Sequence, residues 1–212
     1  MPKRKIPVYS YDKETQNKIL DTATELFARK CFCAVSLREI AKAVGIKMPS
    51  LQYYYKHKDD IIKDVLSRFE IGYLHYIDWL SEENLKVNSL EALLDNYFNE
   101  EFIEMQDPIG CLGMSIVIKE QHHNASAREQ LFKNICEYSI NSIKGSLDRL
   151  IEKGIFPPSN TKMIATLLML IVTSSNELRL HKYFGTEPPI NCLEVYKYLK
   201  YLIGTILKNI TI

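Results

Sequence analysis

The 212-residue chain has no apolar run long enough to cross a bilayer. A span takes about 20 apolar residues, and Met163 to Val172, the best candidate, falls well short and reads as a buried helix. The basic N-terminus lacks the apolar core of a signal peptide, so the protein is expected in the cytoplasm with no membrane partner. Five cysteines, an odd number without framework spacing, fit reduced thiols there. A Gly-rich phosphate loop, a nucleophile elbow and a metalloprotease motif are all missing, which excludes the common catalytic sets; no enzyme and no cofactor are expected. Glu120, His122 and His123 are the best set of metal ligands, but adjacent histidines do not share a helical face, so no metal is expected either. Strand patterns and internal repeats are also absent.

Charge of one sign is scarce overall, with a net of +1, yet it is unevenly placed. Residues 1–58 hold 12 Lys plus Arg against 5 Asp plus Glu, a net of +7, and the remainder 15 against 21, a net of −6. A basic head and an acidic body point to a nucleic-acid partner for the head. Lys3-Arg4-Lys5 are read either as an N-terminal arm with charge for phosphates or as an unstructured chain end.

What is present is a compact motif from Ser36 to Lys58. Ser36 stands three residues before Glu39, the capping-box spacing, so a helix begins at Leu37. Leu37, Ile40, Ala41 and Val44 recur on one face, and Gly45 then supplies a turn plugged by Ile46. Pro49 is tolerated only in a first turn, so a second helix starts near Lys47 or Met48 and runs to about Tyr54. Its exposed residues are expected to be Lys47, Met48, Ser50, Gln52 and Tyr53. That set offers hydrogen bonds and apolar contact to base edges, while Lys47, Lys56 and Lys58 offer charge to phosphates. This is the pattern of a helix-turn-helix for DNA.

On Ile19-Leu-Asp-Thr-Ala23, Leu26-Phe27, Ser36, Ile40-Ala41, Val44-Gly45, Leu51, Tyr54 and Lys56 to Lys58, the segment from Ile19 to Leu66 resembles the DNA-binding domain of the TetR family of transcriptional regulators. Four positions depart from the family pattern. Cys31 stands where a helix-ending Gly is usual, Lys47 where a Ser caps the recognition helix, Gln52 where a Tyr binds phosphate, and His57 where Ser or Asn caps the fourth helix. The resemblance implies that Lys58 contacts phosphate, that Tyr54 lies against the backbone, and that Ser50 and Tyr53 face the groove. Ser36, Lys47, Met48, Gln52 and Lys56 complete the expected DNA contacts.

The fold expected is all-α with about nine helices. A three-helix helix-turn-helix domain over 1–58 is followed by a helical effector-binding and dimerisation domain over 59–212. Helical spacing predicts further helices over 12–30, 59–80, 89–105, 111–122, from Asn124 or Ser126 to 153, from Asn160 or Thr161 to 182, and over 190–210. The eighth is apolar all round in its first half, so both faces need cover. The ninth carries Leu193, Tyr196, Leu199, Leu202, Ile203 and Ile206 along one stripe. By resemblance, helices eight and nine form a homodimer interface, with Met163, Leu167 and Leu170 from the eighth. A two-fold dimer would read an approximately palindromic double-stranded operator with half-sites roughly 34–36 Å apart.

The resemblance also implies a small apolar or amphipathic effector held among helices five to eight, whose binding releases a repressor from DNA. The residues expected to line its pocket are Tyr73, Tyr76, Trp79, Phe98, Phe102, Met105, Met114, Ile118, His122, Tyr138, Met169, Thr173 and Asn176. Two alternatives stay open: a thiol-redox-sensing regulator acting through Cys31 and Cys33, with Lys30 nearby, and a ligand-independent architectural DNA-binding protein.

Overall fold

The computed structural model describes residues 14–98, 108–183, 185 and 192–209; Lys3, Arg4, Lys5, Phe102 and Met105 lie outside them. Among the described residues there are nine helices and no strand. The described residues fall into two compact units, one within residues 1–74 and 109–131 and the other within residues 75–108 and 132–212.

The first unit begins with α1, Glu14–Arg29, which buries Ile19, Leu20, Ala23 and Phe27. A 3-10 turn, Phe32–Ala34, leads into α2, Leu37–Val44. Ser36 caps α2 as expected, its Oγ accepting from Glu39 N at 3.2 Å. Gly45 ends it at φ +82°, a left-handed conformation that a side chain would resist. Next comes α3, Met48–Tyr54, with Pro49 in its first turn. Lys47 gives it no side-chain cap, and seven residues make a marginal helix alone. Tertiary contacts hold it instead. Leu51 is fully buried, worth about 1.5–3 kcal/mol, and the buried Tyr55 accepts from Gln16 Nε2 at 3.2 Å while donating to Asp64 Oδ2 at 3.0 Å.

Helix α4, Lys58–Leu85, contributes to both units. It runs beyond the expected end at Leu80 because no breaker follows; Ser81 turns its hydroxyl back to the Ile77 carbonyl, and Asn84 is buried against Tyr97. At its start, His57 lacks a capping oxygen, and the carboxylate of Asp60 substitutes by accepting His57 N at 2.9 Å. Arg68 ties α4 to Asp21 of α1 at 2.6 Å. Helix α6, Pro108–Glu120, closes this unit, with Gly113 directly under the Phe69 ring.

In the second unit, α5 is Leu90–Phe98; α7 is a long run that starts on an Asn124 cap in the first unit and continues into the second from Phe132. The α7 run is α-helical over Ala125–Glu129, π-helical over Gln130–Glu137 and α-helical again over Tyr138–Glu152, so the single regular helix expected there is interrupted. Helix α8, Thr161–Tyr183, starts on Asn160, and α9 is Cys192–Asn209. Leu93, Leu94, Tyr97, Leu147, Leu150, Ala165, Leu168 and Met169 form the core here.

Tyr97 gives this core an alkaline weakness. Burial pushes its phenol from the ordinary 10.0 up to about 12, against the opposing effect of the Asn84, Ser142 and Ser146 hydrogen bonds. The folded chain therefore holds the proton more tightly than the unfolded one. Stability is complete below about pH 10 and falls as pH rises towards 12, by roughly 2–3 kcal/mol in all. Denaturant titrations of the native chain and of Tyr97→Phe across this range are expected to show that the substitution removes the slope; an unchanged slope would clear Tyr97.

Candidate nucleic-acid interface

The helix-turn-helix presents one continuous exposed surface. Lys47, Pro49, Ser50, Gln52 and Tyr53 on α3 are exposed, as are Lys56 and His57 beyond it. Met48 and Tyr54 are half-buried, so Met48 is less available than the sequence suggests. Tyr53 is 76% exposed with its ring edge-to-face on Tyr54, centroids 5.2 Å apart. An aromatic ring held at the tip of a short helix suits a groove-reading position. Ser36 accepts the α2 amide through a lone pair, so its hydroxyl proton is not spent in capping. Arg38 and Lys42, one turn apart on the exposed side of α2, extend the positive surface. Sequence reasoning passed over them, although their i, i+4 spacing opposite Ile40 and Ala41 was the available signal.

Lys58 takes an unexpected position. Its Nζ donates to the Phe32 carbonyl at 2.7 Å and to the Val35 carbonyl at 3.0 Å. An ammonium group has three donors, and two of them secure the turn between α1 and α2. The same turn is held from α6: Glu120, buried, accepts Phe32 N–H, and Lys119 Nζ donates to the Ala28 carbonyl at 3.0 Å. Glu120 is thereby committed to the backbone, whereas His122 and His123 are exposed. Cys31 is extended, at φ −82° and ψ 164°, so the turn needs no glycine. Cys31 and Cys33 are joined as a disulfide, which corrects the expectation of reduced thiols throughout; Cys136 is a free thiol.

The expected pocket residues are spread between the two units. In the first, Tyr73 packs against Phe69 with centroids 5.8 Å apart, Met114 is buried, Ile118 half-buried and His122 exposed. In the second, Tyr76 packs against the core that contains Met169, its ring 6.1 Å from that of Trp79. Thr173 donates to Met169 Sδ at 3.3 Å, and Tyr138, 41% exposed, donates to Asp78. The side chains of Phe98 and Asn176 lie outside the described residues.

Along α8, Met163, Leu167 and Leu170 are 51%, 53% and 51% exposed on one face, while Ile164, Ala165, Leu168 and Met169 are buried on the other. On α9, Leu202 and Ile203 are half-buried, and Ile203 packs against the core of its own unit rather than standing clear for a partner. Tyr198 and Tyr201, which the apolar stripe did not include, are exposed. The side chains of Leu193, Tyr196, Leu199 and Ile206 lie outside the described residues. No helix among the described residues is long and apolar enough to cross a membrane.

Residues 19–65 match the family model for bacterial regulatory proteins, tetR family. The chain is 31% identical over 85 residues to the probable HTH-type transcriptional regulator YttP of Bacillus subtilis, covering 40% of this chain and 41% of YttP. It is 26% identical over 128 residues to IcaR of Staphylococcus epidermidis, the negative transcriptional regulator of the biofilm operon icaADBC, covering 56% and 68%. The chain thus spans about two fifths of the length of YttP. Among solved structures, the transcriptional regulator FadR from Bacillus subtilis in complex with stearoyl-CoA superposes with a TM-score of 0.61 at 16% identity, over 89% of this chain and 97% of that one. Each of these proteins is named as a transcriptional regulator. The exposed helix α3, its Ser-capped partner α2 and the match over residues 19–65 make this segment of the chain similar to bacterial regulatory proteins of the tetR family.

Proposed function

We propose that the protein is a sequence-specific transcriptional repressor that acts in the cytoplasm as a homodimer and leaves an approximately palindromic operator when a small apolar or amphipathic ligand binds. The observation that carries this reading is the exposed, positively flanked face of α3, on which Ser50 and Tyr53 would meet bases while Lys47, Lys56 and Lys58 would meet phosphates. Residues 1–58 would bind DNA, and residues 59–212 would bind effector and partner. The exposed apolar face at Met163, Leu167 and Leu170 supports self-association through α8, with α9 beside it. A ligand-bound FadR of similar fold supports an effector, for which Tyr76, Trp79 and Met169 are candidates. Effector and DNA would weaken each other's binding by the same factor, as linkage requires.

Selection of bound sequences from a random DNA pool, at fixed salt, tests the reading. A two-fold enriched site is expected; no enrichment would favour the architectural alternative. On the enriched site, Lys58→Ala is expected to lower affinity for all sequences and to flatten the salt dependence by about 0.9 for each head, whereas Tyr53→Ala should alter the preferred bases. An unchanged salt slope would remove Lys58 from the phosphate contacts.

A further inference from the structure

We propose that Cys31 and Cys33 form a reversible thiol–disulfide switch, with a peroxide as oxidant, that sets how far Lys58 reaches towards DNA phosphate. The DNA part rests on the function proposed above. The two Cα atoms are 5.3 Å apart, within the range that a disulfide spans, and the structure joins the pair. Their placement suits a sensor. Cys33 is exposed and Cys31 half-buried, so an oxidant reaches the first and the second stands ready to resolve it. Between them, Phe32 is pinned: its ring is buried edge-to-face on Phe27, centroids 4.9 Å apart, and its N–H is held by Glu120. Opening the bond therefore releases the flanking residues without pulling the turn from the core. Positive charge lies on the turn's carbonyls at Lys58, while Lys30 is paired with Glu39, and cations favour the reactive thiolate. Cys136 contrasts with this pair, since burial pushes its thiol up and keeps it protonated.

The chemistry balances with one peroxide. The Cys33 thiolate attacks an oxygen of hydrogen peroxide, the O–O bond breaks, a sulfenic acid forms on Cys33, and the departing hydroxide takes up a proton to become water. The Cys31 thiolate then attacks that sulfur, the S–S bond forms, the S–O bond breaks and a second water leaves. The two sulfurs supply two electrons, and the two thiol protons end in water. A dithiol reductant reverses the step by exchange.

Transmission runs through the backbone. With the disulfide closed, Ala34 N–H returns to the Cys31 carbonyl at 3.1 Å, and the carbonyls of Phe32 and Val35 both face Lys58. That arrangement spends two of the three ammonium protons and anchors Lys58 to the turn. Once the ring opens, residues 31 and 33 recover backbone freedom, the Phe32 carbonyl turns with the Phe32–Cys33 peptide while the ring stays buried, and the ammonium group, held by one carbonyl fewer, extends to phosphate. Oxidation is therefore expected to weaken DNA binding.

The test uses the full-length chain, reduced with a dithiol or oxidised with hydrogen peroxide, with thiol-labelling mass spectrometry to locate disulfides and DNA titrations at several salt concentrations. Expected are a Cys31–Cys33 bond in the oxidised sample only, affinity lower by roughly ten-fold, the scale of one charge-assisted hydrogen bond, and a salt slope shallower by about 0.9 for each head. Reductant should restore both. Cys33→Ser, at an exposed position, should fold, bind DNA as the reduced chain does and ignore peroxide. Failure of the bond to form, or an oxidised chain with unchanged affinity and slope, overturns the switch. If the reduced chain binds no DNA at all, the regulatory reading itself fails, and the mapped disulfide separates that outcome from failure of the thiol chemistry.

Discussion

Gly113→Ala is expected to lower the melting temperature by roughly 6–12 °C, the equivalent of about 3 kcal/mol in a chain of this size. A Cβ built at Gly113 would stand 2.3 Å from Phe69 Cδ2, 2.5 Å from Cγ and 2.9 Å from Cβ. Rotating the ring relieves the first two contacts but not the third, because Cβ moves only with the backbone of α4. Phe69 is itself buried, at 5% exposure, so the ring has no open space to enter. Helices α4 and α6 must therefore separate within their unit. A double substitution provides the check. Phe69→Ala alone leaves a cavity costing about 3–5 kcal/mol, yet combined with Gly113→Ala it should cost less than the sum of the two. Strict additivity in denaturant or thermal unfolding would show that the two positions do not touch.

Leu167→Glu combined with Leu170→Glu is expected to turn the proposed dimer into a monomer and to weaken binding to a two-fold site by roughly 100-fold or more, the scale on which linked binding events lose avidity. Both side chains are about half exposed on one face of α8, with Met163 a turn away. In a single chain, charge is tolerated there, and the cost to folding should stay within about 0.5 kcal/mol. Between two copies the same carboxylates would be desolvated opposite their own symmetry mates, which association cannot offset. Light scattering gives the mass, thermal unfolding verifies the fold, and titration of the selected site gives the affinity. A doubly substituted chain that stays dimeric and binds normally would remove this face of α8 from the interface.

Much of the helix-turn-helix was legible because its determinants are local. Ser36 with Glu39, Gly45 and Pro49 each act on their own few residues, and the structure repeats them as a cap, a left-handed turn and a first-turn proline. The four departures from the family pattern needed the fold. Asp60 supplies the cap that His57 lacks, Leu51 and Tyr55 hold an α3 that Lys47 leaves uncapped, Cys31 ends the turn without left-handed backbone, and Gln52 stands exposed. The pocket residues were chosen for their chemistry alone, and chemistry does not say which compact unit a side chain belongs to.

By itself, then, the sequence determined the helices, their caps and the basic surface of α3, since hydrogen bonding within a helix and the alternation of polar and apolar residues depend on neighbours three or four positions apart. Tertiary structure alone decided that Lys58 anchors the turn at Phe32 and Val35, that Glu120 reaches Phe32 across 88 residues of chain, and that Gly113 admits Phe69. Those contacts join residues far apart in the chain, and their energies exist only once packing has brought the partners within a few ångströms.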